Sequence, residues 1–124
     1  METARRTAGI LLPAFSARRE GDLGIGDTQA LREWIDWAAD HQIGFIQLLP
    51  INENGPEESP YSAISSIAID PIYLTISDEE IPGLNQSSHI EIQEKLTKVP
   101  DPHQVDYFRT RSAKRQLLEE AWLN

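Results

Sequence analysis

Two short apolar runs, Gly9 to Leu12 and Phe45 to Leu49, flank a segment in which apolar residues recur every three or four positions. Both read as strands, and the run Phe45 to Leu49, short and stopped by Pro50, is expected to be buried on both faces rather than half-exposed. Between them, Ala30, Leu31, Trp34, Ile35, Trp37 and Ala38 form a wide stripe along a helix expected from Thr28 to His41. Asp27 and Thr28 are good N-cap types, and Gly44 lets the chain restart as the second strand. Strand, crossover helix and strand make the expected unit of a parallel sheet, which places the chain in the α/β class.

Downstream the pattern is looser. Ile72 to Ile76 is a short β-prone run, and Ser77 to Gly83, with three acids and a proline, predicts a turn or surface loop. A helix is expected after Ser87 or Ser88, carrying Ile90, Ile92, Leu96 and Val99 and ended by Pro100 and Pro102. A last helix is expected from Val105 to Leu123, with Leu117, Leu118, Ala121 and Trp122 on one side. No internal repeat or second domain is indicated, so residues 1–124 read as one domain or part of one.

The segment leaving the second strand is polar and punctuated by proline, and it contains Ser59-Pro60-Tyr61. In a parallel β/α architecture such a segment lies on the ligand-binding face, where it offers a hydroxyl and an aromatic ring. Several motifs occur in one order. They are Gly9-Ile10-Leu11-Leu12, Gly24-Ile25-Gly26-Asp27, Gln47-Leu48-Leu49-Pro50, Ser59-Pro60-Tyr61-Ser62-Ala63-Ile64-Ser65-Ser66 and Asp70-Pro71-Ile72-Tyr73-Leu74. On these motifs, residues 7–76 resemble the N-terminal segment of the amylomaltase or disproportionating-enzyme family, the 4-alpha-glucanotransferases. A weaker echo follows at Val105-Asp106-Tyr107.

The resemblance implies a (β/α)8 TIM barrel that transfers α-1,4-glucan segments between maltooligosaccharides by a retaining mechanism, through a covalent glycosyl-enzyme. A complete barrel needs about 250 residues, and this chain has 124. It is therefore expected to hold the first two β/α units and the helices that follow. The family's nucleophilic aspartate and acid/base glutamate lie downstream of the matched region, so no catalytic residue is assigned here and the isolated chain is expected to be inactive. The tyrosine matching Tyr61 contacts the sugar beside the scissile bond in the family, which makes Tyr61, with Ser59, the candidate substrate-binding pair. Expected partners are an α-1,4-glucan and the remainder of the barrel. A stand-alone glucan-binding module and a nonfunctional remnant are the alternatives.

Charge and composition narrow the chemistry. A net charge of −9 argues against nucleic acid and anionic membranes as partners. The absence of cysteine excludes a disulfide framework and fits the cytoplasm. Arg5-Arg6 precedes an apolar run from Ala8 to Phe15 that contains Pro13 and is followed by Arg18-Arg19, so it reads as the first strand and not as a signal. His41, His89 and His103 lack ligand spacing, so no metal or cofactor is expected.

Other residues draw structural expectations. Glu53, Glu57 and Glu58 read as solvated acids, because nothing indicates the apolar pocket that would raise one carboxyl pKa. Arg109, Arg111, Lys114 and Arg115 read as a solvated face. The glycines before Asp27 lack a phosphate-loop lysine and are expected to allow a close turn into the helix that Asp27 caps. Gln47, alone among apolar neighbours, is expected to find partners inside the barrel. Where the family's compact members carry an aromatic residue for a second glucan site, this chain has Pro56. Asp70 stands where Asn is commoner, a change expected to matter only structurally.

Overall fold

The computed structural model describes residues 5–54, 59, 61–98 and 103–124. Strand β1 (Gly9–Leu12) pairs in parallel with β2 (Phe45–Leu48), Gly9 opposite Phe45 and Leu12 opposite Leu48. Helix α1 (Thr28–Asp40) is the crossover between them. Asp27 caps it by accepting a hydrogen bond from the Ala30 amide, and His41 closes it. These boundaries fall within one residue of the sequence expectation. Leu49 still donates to the Leu12 carbonyl at 3.3 Å, so the ladder runs a residue past β2.

One face of the pair is covered. Ile10, Leu12, Ile46 and Leu48 pack with Ala30, Leu31 and Trp34 of α1. The other face carries Leu11, 62% exposed, Phe45, 51% exposed, and Gln47, also exposed. This corrects the expectation that the second strand is buried on both faces and that Gln47 is enclosed. The side-chain pattern is that of a two-sided sheet, but among the described residues only α1 supplies a covering layer.

Between β1 and α1 the chain makes a 3-10 turn at Ala14–Ser16 and returns tightly past it. Gly26 donates to the Phe15 carbonyl at 3.0 Å. A Cβ at Gly26 would meet the Ala14 carbonyl oxygen at 1.9 Å, so no larger residue fits there. Ile25, beside it, is fully buried with Ala14, Ile72 and Tyr73.

The β-prone run after Asp70 forms a 3-10 turn at Pro71–Tyr73 and not a strand. Pro71 fixes its own φ, and the Asp70 carboxylate accepts from the Ile72 amide at 3.0 Å, two features that favour a turn over an extended pairing. Helix α2 (Gln86–Thr97) begins earlier than expected because Asn85 caps it through the Ser88 amide. Val99, Pro100 and Pro102, expected at its end, lie outside the described residues. Helix α3 (Tyr107–Leu123) begins two residues later than expected, capped by Asp106 on the Arg109 amide. Leu117 of α3 packs with Ile92 and Leu96 of α2 and with Leu23 and Ile76 from the loops. No helix is long and apolar enough to cross a membrane among the described residues.

Leu117 is fully buried, whereas Leu11 lies on the uncovered sheet face. Leu117→Ala should therefore cost about 2–5 kcal/mol of unfolding free energy and Leu11→Ala less than about 1 kcal/mol, measured by urea denaturation. Equal losses would mean that the uncovered face is buried in solution.

Candidate functional site

The chain leaves the C-terminal end of β2 as an arm that goes out and returns to Asp70. Its two sides meet at antiparallel bridges between Asn52 and Ile69 and between Asn54 and Ala63. Glu53 donates to Ala68 at 3.0 Å, Ile64 to Glu53 at 2.8 Å and Asp70 to Ile51 at 2.9 Å. The arm buries little: Tyr61 is 72% exposed, and Ile64, Ile67 and Ile69 also face solvent.

Ser59 and Tyr61 sit together at its outer turn. The Tyr61 amide donates to the Ser59 hydroxyl at 3.3 Å, and the Ser62 amide to the Ser59 carbonyl at 3.1 Å, so Ser59 shapes the turn that presents the tyrosine ring. Lower down, Ser65 accepts from the Ile67 and Ala68 amides. Pro56, Glu57, Glu58 and Pro60 lie outside the described residues. Glu53 flanks the arm's root, half-buried.

The root rests on charged groups. Asp70, 1% exposed, accepts from both guanidinium nitrogens of Arg111, at 2.7 and 2.9 Å. Burial pushes the Asp70 pKa up, but the Arg111 hydrogen bonds and the Ile72 amide outweigh it and hold the carboxyl below the ordinary value. Lys114, one helical turn further along α3 and 2% exposed, donates to the Ile72 and Leu74 carbonyls, each at 2.6 Å. Burial depresses its pKa to about 8, against the opposing pull of Asp27 and Asp22.

This corrects the reading of Lys114 as part of a solvated face; Arg111 does stay exposed, with 44% of its side chain accessible, but it is bound to a buried carboxylate. The signal was present in the spacing: Thr110, Lys114 and Leu117 follow one another by four and three residues, so Lys114 stands on the buried stripe of α3. Arg115 is also exposed, and it pairs with Glu119 on its own helix.

A second ion pair holds the start of α1. Arg19 donates to both Asp27 oxygens, at 2.9 and 2.7 Å, alongside the capping Ala30 amide. Burial opposes the Asp27 charge, but these bonds prevail and its pKa is lowered. Asp27 thus serves as the cap expected from sequence and also as the partner of a cation eight residues earlier.

An open groove of about 680 Å³ runs between the root of the arm and α3, lined by Glu53, Pro71, Ile72, Arg111, Lys114 and Trp122 among others. Neither Ser59 nor Tyr61 lines it. The candidate pair is therefore displayed on an open arm, and the groove lies behind its anchor. No cluster of three or more metal-ligating side chains occurs among the described residues.

The Lys114 shift has a definite sign. Its folded-state pKa of about 8 lies below the ordinary 10.5, so between those values the unfolded chain binds the extra proton. Raising the pH from 8 to 9.5 should therefore stabilise the protein relative to Lys114→Met, which lacks the buried ammonium. Paired urea denaturations at the two pH values test this, and a constant or shrinking difference would contradict it.

The family model described as 4-alpha-glucanotransferase matches residues 12–124. A 4-alpha-glucanotransferase of Chlamydia trachomatis is 37% identical over 116 residues, covering 90% of this chain and 21% of that protein. One from Oryza sativa subsp. japonica is 32% identical over 126 residues, covering 96% of this chain and 13% of its own length. A third, from Synechocystis, is 31% identical over 121 residues and is covered to 22%. The chain spans about a fifth of the length of the bacterial relatives it matches.

Proposed function

The chain belongs to the 4-alpha-glucanotransferase family, and we propose that it forms the N-terminal part of an enzyme that transfers α-1,4-glucan segments between maltooligosaccharides. In this reading β1, α1 and β2 open a (β/α)8 barrel, and the Ser59 to Tyr61 turn belongs to the donor-side wall of its cleft. The observation that carries it is the arm leaving the C-terminal end of β2 with Tyr61 open to solvent at its tip. Ligand-binding segments of such barrels leave the strands at that end.

Tyr61 contacts the sugar with its ring face and hydroxyl, a combination suited to a glucose unit, which has apolar C–H faces and a polar rim. Ser59 holds the turn and offers its hydroxyl beside the ring. The reaction proceeds with retention: a carboxylate forms a glycosyl-enzyme while an acid protonates the leaving oxygen, and the acceptor hydroxyl, giving its proton back to that group, then displaces the carboxylate. Both carboxylates come from sequence beyond the match, and no residue of this chain is assigned to the bond-making steps. The enzyme works in the cytoplasm, a reading supported by the lack of cysteine. The uncovered face of Leu11, Phe45 and Gln47 favours a barrel segment over a stand-alone glucan-binding module, which would have little reason to leave an apolar sheet face open.

Exchange of this chain for the matching segment of the Chlamydia trachomatis relative tests the proposal. The chimera should disproportionate maltotriose, and Tyr61→Ala within it should lower kcat/KM roughly tenfold or more, equivalent to about 1.4 kcal/mol. A folded but inactive chimera, or full activity with Tyr61→Ala, would count against it. The isolated chain should release no glucose from maltotriose.

A further inference from the structure

The described residues of the arm do little to position it by their own packing. Among the described residues its two bridges and few cross-bonds are local, and its apolar side chains Ile64, Ile67 and Ile69 are exposed. An element with so little burial opens readily unless its ends are held. Its first end is continuous with β2. Its second end is Asp70, a buried carboxylate whose charge partner arrives from a helix 41 residues further along the chain.

The groups around Asp70 come from three elements. Arg111 and Lys114 face it from α3 and Tyr73 from the 3-10 turn, the Ile72 and Asn54 amides add hydrogen bonds, and Glu53 of the arm faces the Arg111 guanidinium. Asn54, which bonds Asp70, and Glu53, which faces Arg111, both belong to the outgoing side of the arm. Asp70 therefore joins both sides of the arm to α3. The paired guanidinium bonds fix direction as well as distance, which a point charge would not. Lys114 fixes the residues immediately after Asp70 through the Ile72 and Leu74 carbonyls.

We propose that Arg111 and Lys114 are positioning residues for the Ser59 to Tyr61 turn. By gripping Asp70 and the two carbonyls that follow it, α3 sets where the arm holds Tyr61. The functional meaning of this grip rests on the reading of Tyr61 as a glucan contact, but the grip itself can be tested without glucan.

Residue-resolved amide hydrogen exchange on the full chain provides the test. The Glu53, Ile64 and Asp70 amides report the arm, and the Gly44 and Leu49 amides, bonded to Ala8 and Leu12, report the sheet. In Arg111→Met the arm amides should exchange about tenfold faster or more, with the sheet amides changing less than about threefold. Arg111→Lys should restore part of the protection, and it carries the comparison should Arg111→Met fail to fold. Lys114→Met should speed exchange mainly at Tyr73 and Leu74. Added to Asp70→Asn, Arg111→Met should have little further effect on the arm, because the carboxylate it grips is gone.

A pH profile adds a signature that loss of packing would not produce. The lowered Asp70 pKa stabilises the folded arm above the ordinary value of 3.8, and that contribution is lost as pH falls below it. Wild-type arm protection, corrected for intrinsic exchange, should fall in that range, and Asp70→Asn should lack the step. Unchanged arm exchange in Arg111→Met, or equal acceleration of arm and sheet, would overturn the proposal. Loss of the Tyr61 effect in the chimera would instead overturn the glucan reading and leave the grip standing.

Discussion

A buried carboxylate, Asp70, organises the half of this chain that carries the arm. Taking such a group out of water is costly unless its charge and lone pairs are satisfied, and here a paired guanidinium and a backbone amide meet that requirement. The requirement dictates geometry. Arg111 must lie in reach, so α3 must run past the end of the arm, and that placement carries Lys114 onto the Ile72 and Leu74 carbonyls. It also brings Leu117 into the core shared with α2 and Ile76. Position in the arm, the 3-10 turn and the last helix thus follows from one ionic contact.

The sheet contributes a different kind of order. β1 and β2 share a register, and α1 closes one side with small residues, Ala30 and Ala38, that allow a close approach. The opposite side presents Leu11 and Phe45 to solvent. That face is built like the interior of a larger sheet, in keeping with a chain that spans about a fifth of the length of its bacterial relatives. The ion pairs of Asp27 with Arg19 and of Asp70 with Arg111 stiffen the loops that leave this sheet.

Sequence disclosed the local features and missed the distant ones. Two apolar runs, a three-and-four periodicity and an N-cap aspartate were enough to set β1, α1 and β2 to within a residue, because each signal lies inside the element it defines. The Ser59 turn was legible for the same reason. Ile72 to Ile76 misled because its apolar content outweighed Pro71 and the capping side chain of Asp70. Arg111 and Lys114 were read by charge alone, although the spacing with Thr110 and Leu117 placed Lys114 on the apolar stripe. The Asp70 to Arg111 pairing spans 41 residues and leaves no local trace.

The central claim, that this chain is the cleft-bearing first part of a glucanotransferase, is tested most directly by complementation. The chain would be mixed with the part of the Chlamydia trachomatis relative that lies beyond the matched segment, and maltotriose disproportionation would be followed as glucose release. The account predicts activity from the mixture and none from either piece alone, with titration to a one-to-one ratio. Association of the two folded pieces without transfer, or transfer that persists in the mixture when Ser59 and Tyr61 are both replaced by alanine, would contradict it.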